Sequence, residues 1–233
     1  MASSKFKNNI LKSAGLLFEP ATLYFTVPFL LFFSLGGIYI LIGDKGSLVM
    51  ALNAISGEKL DVFFLWVTRI GLGSIIAVLG ALLVFYRFRW SLLTFVNLAL
   101  VGIFTNLFKR VFFHLSSRPL HYFYYDDFPR FLYDAPLTYY NTFPSGHTMT
   151  IYAACSLMAI LINRKMAGIL LFILAFLVGI SRIYLLQHFF LDTWAGAILG
   201  ILATIITFMI DEKFRLSKRK FADLNLFRIF LKK

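Results

Sequence analysis

Long apolar runs separated by short polar stretches organise this chain. Six runs, at about 22–43, 62–86, 90–112, 145–163, 167–186 and 188–210, approach or exceed the ~20 mostly apolar residues that a helix needs to cross a bilayer. They are too long for strands and lack a two-residue alternation, so the pattern predicts helices. The expected architecture is all-α: a polytopic membrane protein with six transmembrane helices in one bundle. No internal repeat or low-complexity segment divides it. The chain therefore reads as a single membrane-embedded domain over 1–233, with basic tails at about 1–20 and 211–233. No short apolar region followed by a small-residue cleavage site opens the sequence, so the first run is expected to stay as an anchor.

Composition supports this reading. Apolar residues make up 60% of the chain and the mean hydropathy is +0.80, too high for a soluble domain. The net charge of +12 would raise nucleic-acid binding in a soluble protein. Here the charges fall between the apolar runs, where membrane topology accounts for them, and no nucleic-acid partner is expected. With both termini placed in the cytoplasm, the inner segments carry 15 Lys and Arg against four acids, and the outer segments carry seven against seven. Arg69 remains, about two turns inside the second run, where it either snorkels, pairs with Asp61 or contacts a ligand. An odd number of spans would spoil this separation of charge. Cys155, the only cysteine, lies in an apolar run and is expected to pack as a small apolar residue.

The longest connection, about 113–143, falls on the outer side and is rich in aromatics, including Tyr122, Phe123, Tyr124, Tyr125, Phe128, Phe131, Tyr133, Tyr139 and Tyr140. It suits either a rim at headgroup level or an aromatic belt without chemistry. In the basic C-terminal tail, Phe221, Leu224, Phe227 and Phe230 recur every three residues or so, compatible with a helix lying on an anionic inner surface.

Three clusters at the expected outer ends of the runs bear chemistry. The first is Lys109-Arg110 followed by Arg118-Pro119. The second is Pro144-Ser145-Gly146-His147. It reads as a helix start with Ser145 as cap; free backbone N–H groups and the helix dipole there attract phosphate, and Gly146 permits close approach. The third joins Ser181-Arg182 to His188 and Asp192. Four residues apart, His188 and Asp192 would share one face of a helix. A carboxylate on one imidazole nitrogen leaves the other free to attack, while a guanidinium grips two phosphate oxygens. No dense set of carboxylates or Cys/His ligands suggests a catalytic metal, so cations would stabilise the charge of a phosphoryl transfer. His114 and His121 read as interfacial residues.

The ordered motifs resemble those of the type-two phosphatidic acid phosphatase superfamily, the lipid phosphate phosphatases, in its bacterial membrane branch. That pattern runs Lys, six residues, Arg-Pro; then Pro-Ser-Gly-His; then Ser-Arg, five residues, His, three residues, Asp. The second and third motifs are matched in full. The first departs: eight residues separate Lys109 from Arg118 and seven separate Arg110 from it, while the position that would leave six is Val111. Lys109 is taken as the family's lysine, with two extra residues bulging before Arg118; Arg110 is the alternative.

The resemblance implies that His188 is the nucleophile and forms a phosphohistidine, that Asp192 orients it, and that His147 protonates the leaving oxygen and then activates water. It further implies that Lys109, Arg118, Ser145, Gly146 and Arg182 bind phosphate oxygens, and that neither metal nor other cofactor is required. The substrate would be a membrane lipid phosphate met at the bilayer surface, on the periplasmic or exterior face of the cytoplasmic membrane. Undecaprenyl pyrophosphate, phosphatidylglycerol phosphate and phosphatidic acid fit, with lipid A phosphate close behind. A lipid transporter or flippase, or a catalytically silent phospholipid-binding relative, is the alternative. The sequence assigns no oligomeric state.

Overall fold

The computed structural model describes residues 2–123, 139–219, 222 and 224–226, with side chains from residue 9 onward. Every regular element among them is helical. In chain order these are α1 (Ala2–Gly15), α2 (Leu23–Ile42), α3 (Ser47–Ala54), α4 (Glu58–Ile70), α5 (Gly73–Leu83), α6 (Phe88–Asn106), α7 (Pro119–Tyr122), α8 (Gly146–Ile162), α9 (Lys165–Tyr184) and α10 (Phe190–Phe214). A π-helical stretch, Leu107–Phe112, continues α6.

Among the described residues, four helices are long and apolar enough to cross a membrane: α2, α6 with its π extension, α9 and α10. The expected second run is not one straight helix. It breaks after Ile70, and α4 and α5 meet at 52°, making a fifth candidate span when taken together. The expected run at 145–163 is α8, an apolar helix of 17 residues. Among the described residues, length and composition thus place four or five spans, against the six expected.

α8 nevertheless forms the centre of the bundle, with residues 148–159 all buried among α6, α9 and α10. Small residues allow the close approach. A Cβ on Gly196 of α10 would lie 2.7 Å from the Ser145 carbonyl oxygen, and one on Gly200 would lie 2.6 Å from that of Met149. With no side chain at these two positions, α10 rests against the backbone of α8. Polar side chains tie α6 to α10 as well: Asn97 Nδ2 of α6 donates to Thr204 Oγ1 (3.1 Å) and Thr207 Oγ1 (3.2 Å) of α10. The Ser145 N–H donates to the Asp192 carbonyl at 2.9 Å, so the start of α8 is fixed to the start of α10. Cys155 is buried in the apolar core, as expected of it.

The opposite end of the bundle holds both basic segments. The segment read as an N-terminal tail is largely the helix α1, which packs along α10 and sets Lys12 Nζ 2.8 Å from Glu212 Oε1. Arg89 pairs with Asp211 beside it. In the C-terminal segment, the Phe88 N–H donates to the Leu224 carbonyl (3.0 Å) and the Leu226 N–H to the Val84 carbonyl (3.2 Å). The surface helix expected around Phe221, Phe227 and Phe230 lies outside the described residues, as do Tyr124, Tyr125, Phe128, Phe131 and Tyr133 of the aromatic connection.

Candidate active site

At the end of the bundle where α8 and α10 begin, the chain between α9 and α10 makes a tight turn through Leu185, Leu186 and Gln187. The N–H groups of Gln187 and His188 both donate to the Arg182 carbonyl, at 3.0 and 3.1 Å. The turn therefore ties His188 directly to the last turn of α9. This corrects the expected helical pairing of His188 with Asp192. α10 begins at Phe190, so His188 precedes the helix and Asp192 sits in its first turn. They meet because Asp192 reaches back in a capping arrangement, accepting from the Phe189 N–H at 2.8 Å through Oδ2. The same oxygen lies 3.5 Å from His188 Nδ1.

Thr142 stands between them. Its Oγ1 is 3.2 Å from His188 Nδ1 and donates to Asp192 Oδ2. Thr142, His188 and Asp192 are all buried. Burial, reinforced by the charges of Arg182, Arg118 and Lys109, holds the His188 pKa well below the ordinary histidine value, so the ring is neutral near pH 7.

Three cations surround this ring. Arg182 is 7% exposed. Its Nη1 donates to Thr68 Oγ1 of α4 at 2.6 Å, while its Nε is buried without a partner. An unpaired guanidinium N–H in such a place is rare and suits an incoming oxyanion. Arg118 opens α7. Its Nε donates to the Tyr140 carbonyl (2.9 Å) and its Nη1 to Gln187 Oε1 (2.9 Å) and the Gln187 carbonyl (3.1 Å); none of these bonds uses Nη2. Lys109 is half-buried and interacts electrostatically with Arg118, Arg182 and Asp192.

The spacing anomaly of the first motif has its structural counterpart in the π-helical Leu107–Phe112. A π turn takes in more residues than an α turn, and Phe113 N bonds Phe108 O at 2.8 Å across it. The widened stretch contains Lys109 and Arg110 themselves. It leaves Lys109 towards the site, with Arg110 exposed.

The start of α8 completes the group. Ser145 caps it, its Oγ accepting from Thr148 N (3.5 Å) and Thr148 Oγ1 (2.9 Å). Gly146 and His147 follow as the first two helical residues, whose N–H groups have no acceptor within the helix. His147 is half-buried and feels the charges of Arg182, Lys109 and Arg118, and it acts in turn on His188. The break between α4 and α5 passes beside His147. A Cβ on Gly71 would lie 3.2 Å from His147 Cβ and 2.7 Å from Val178 Cγ1, so only a glycine lets the bent chain pass under His147.

Arg69 does not join the group. It is exposed in the last turn of α4, stacked 4.5 Å from the Trp66 ring centroid, and Asp61 instead accepts from the Tyr184 hydroxyl. His121 bonds Ser117 and Tyr140. Sequence reasoning missed Thr142, Thr68, Gln187 and Lys45. Lys45 sits 4.4 Å from the Phe189 ring centroid and 4.8 Å from that of Tyr122, and its charge acts on Asp192. Gln187 and Thr142 are close in sequence to motif residues, which was the only available signal; Thr68 and Lys45 gave none.

The sequence model of the PAP2 superfamily matches residues 90–216, more than half of the chain and every residue of the group just described apart from Thr68 and Lys45. Phosphatidylglycerophosphatase B of Bacillus subtilis (strain 168) is 29% identical over 171 residues, 66% of this chain and 76% of that protein. The bacitracin transport permease protein BcrC of Bacillus licheniformis is 44% identical over 73 residues, and this match spans only 35% of that protein and 31% of this chain. Among solved structures, Aquifex aeolicus LpxE superposes with a TM-score of 0.60 at 26% identity, covering 70% of this chain and 93% of that one. A transmembrane PAP2 type phosphatidylglycerolphosphate phosphatase from Bacillus subtilis superposes at 0.56 and 25% identity, covering 85% and 99%. The chain belongs to the PAP2 superfamily.

Proposed function

We propose that this protein is an integral membrane lipid phosphatase that works through a phosphohistidine, and that its site opens at the outer face of the cytoplasmic membrane. One observation carries the reading: three cations and two imidazoles converge around a buried, unpaired Arg182 N–H. Lys109, Arg118, Arg182 and the N–H groups at the start of α8 hold the non-bridging oxygens of a phosphate. The lone pair of His188 Nε2 attacks phosphorus, an N–P bond forms, and the P–O bond to the lipid breaks. His147 gives the departing oxygen a proton. It then takes one from water, whose oxygen displaces the imidazole and releases phosphate. The cations and backbone dipoles supply the charge stabilisation.

A cavity of about 420 Å³ leads to His147 between α5, α6 and α8, lined by Leu72, Gly73, Leu98, Val101, Thr105 and Thr150 among others. Its largely apolar wall suits a lipid chain leaving the headgroup at the site. The charge distribution supports six spans with α8 as the fourth and both termini cytoplasmic. The names of two relatives make phosphatidylglycerol phosphate the first substrate to try, ahead of phosphatidic acid, undecaprenyl pyrophosphate and lipid A phosphate. The transport name of the BcrC relative raises the reading of a lipid transporter, which would move such lipids without releasing phosphate.

The test is phosphate release from these four lipids by purified protein in detergent with EDTA, for the wild type and His188→Ala. Release by the wild type and none by the variant is the expected result. Activity that survives the substitution removes the nucleophile, a requirement for a divalent ion removes the cation-only mechanism, and no release from any lipid favours transport.

A further inference from the structure

The third motif supplies His188 and Asp192, yet their closest approach, 3.5 Å from Nδ1 to Oδ2, is too long for a strong charge-assisted bond. The shorter path runs through Thr142, which lies outside the motifs. Asp192, taken as the carboxylate, is acceptor-only, and its Oδ2 already accepts from the Phe189 backbone N–H. Thr142 Oγ1 bonds the same oxygen and must give it the hydroxyl's single hydrogen. What Thr142 offers His188 Nδ1, 3.2 Å away, is therefore a lone pair. Nδ1 must then hold the ring proton, which leaves Nε2 bare. A hydroxyl with its hydrogen committed in this way selects one tautomer of the neutral ring.

We propose that Thr142 is a positioning residue for the nucleophile, a buried hydroxyl that passes the influence of Asp192 to His188 and fixes the ring proton on Nδ1. This rests on the reading of His188 as the attacking group. During transfer Nε2 gives its lone pair to phosphorus and Nδ1 keeps its proton, so the ring gains positive charge. The hydrogen-bonded path from Nδ1–H through Thr142 to Asp192 compensates that charge. When water takes the phosphoryl group, the N–P electron pair returns to Nε2 and the ring is neutral again with the same proton in place.

The chemistry requires a hydroxyl, and the methyl group beside it is incidental. Thr142→Val keeps the shape and removes the hydroxyl; Thr142→Ser keeps the hydroxyl. With the full chain in detergent and the four-lipid panel, Thr142→Val should lower kcat about 10–100-fold, the usual effect of losing an outer partner that orients an imidazole. KM should stay within about threefold, because Thr142 contacts no cation that holds phosphate, and Thr142→Ser should return kcat to within about threefold of the wild type. A purely structural role would instead show as a lower thermal midpoint with kcat per folded molecule unchanged.

Nitrogen-15 spectra of labelled histidine, with His188 assigned by its loss in His188→Ala, read the tautomer without any substrate. The expected signature is a protonated Nδ1 and a bare Nε2 in the wild type. A protonated Nε2 there, or a wild-type kcat in Thr142→Val, overturns the proposal. Should Thr142→Val fail to fold, the serine variant and the wild-type spectrum decide. Activity in His188→Ala would sink the parent reading; an inactive His188→Ala beside a fully active Thr142→Val would sink only this one.

Discussion

A methyl group added at Gly196, where α10 packs against the start of α8, should disable the site. The carbon would lie 2.7 Å from the Ser145 carbonyl oxygen and 3.3 Å from Met149 N and Thr148 Cβ. Its hardest neighbour is backbone, which cannot swing aside. To reach an ordinary contact near 3.4 Å the start of α8 must withdraw by about 0.7 Å. A retreat of that size along the line between the helices stretches the Ser145 N to Asp192 O bond from 2.9 Å to about 3.6 Å, beyond hydrogen-bonding range. It also moves Ser145, Gly146 and His147 away from His188 and Asp192. Overpacking of this kind costs about 1–3 kcal/mol of stability. Because a misplacement near 1 Å can cost ~100-fold in rate, Gly196→Ala should lose about 10–100-fold in kcat. The control is Gly37→Ala in α2, whose new carbon would meet only Trp194 Cζ2 at 3.7 Å. Phosphate release and the thermal midpoint in detergent should be measured for both variants. A Gly196→Ala protein with wild-type kcat would show that α8 has room to spare and that its backbone contact with α10 does not set the catalytic geometry.

The sequence revealed the helices best where the bilayer imposes a length. The boundaries of α2, α6, α9 and α10 fall within a few residues of the apolar runs, since a span must be apolar whatever its neighbours. It was least informative where tertiary contacts decide. The break after Ile70 lies where Gly71 packs beneath His147, and the apolar run continues across it with only Gly71 and Gly73 as a local sign. α1 is helical where a tail was expected, and its place is set by α10 and the Lys12–Glu212 pair rather than by apolar length. At the site, the spacing of His188 and Asp192 was legible but its geometric reading was wrong. Residues four apart meet on one helical face, yet they also meet across a helix start when the second reaches back to cap it. The irregular first motif was likewise visible as an odd count, while the π-helical turn found there depends on backbone bonds that no residue type announces. Thr142 and Thr68 escaped notice because a threonine becomes informative only once its hydroxyl is seen facing a buried partner.

Two further outcomes follow from the charges. Lys109→Met should weaken kcat/KM by about 10–100-fold, the loss of one charge-assisted contact to phosphate, whereas Arg110→Met, at an exposed position, should stay within about twofold; the reverse order in phosphate-release assays would give Arg110 the lysine's role. The second concerns acid stability. The fold holds His188 neutral by burying it among Arg182, Arg118 and Lys109, so its pKa lies well below that of a histidine in the unfolded chain, near 6.5. Above about pH 6.5 neither state is protonated there, and the arrangement costs nothing. As pH falls below that value the unfolded chain takes up a proton that the folded chain refuses, and stability is lost until the folded pKa is reached. The thermal midpoint of the wild type in detergent should therefore drop with acidification more steeply than that of His188→Gln, by the equivalent of at most one proton, about 1.4 kcal/mol per pH unit. The remaining histidines are common to both proteins and cancel in the comparison. Parallel curves between pH 6.5 and 4.5 would mean that His188 accepts its proton as readily inside the bundle as outside it, and the neutral nucleophile would then need another explanation.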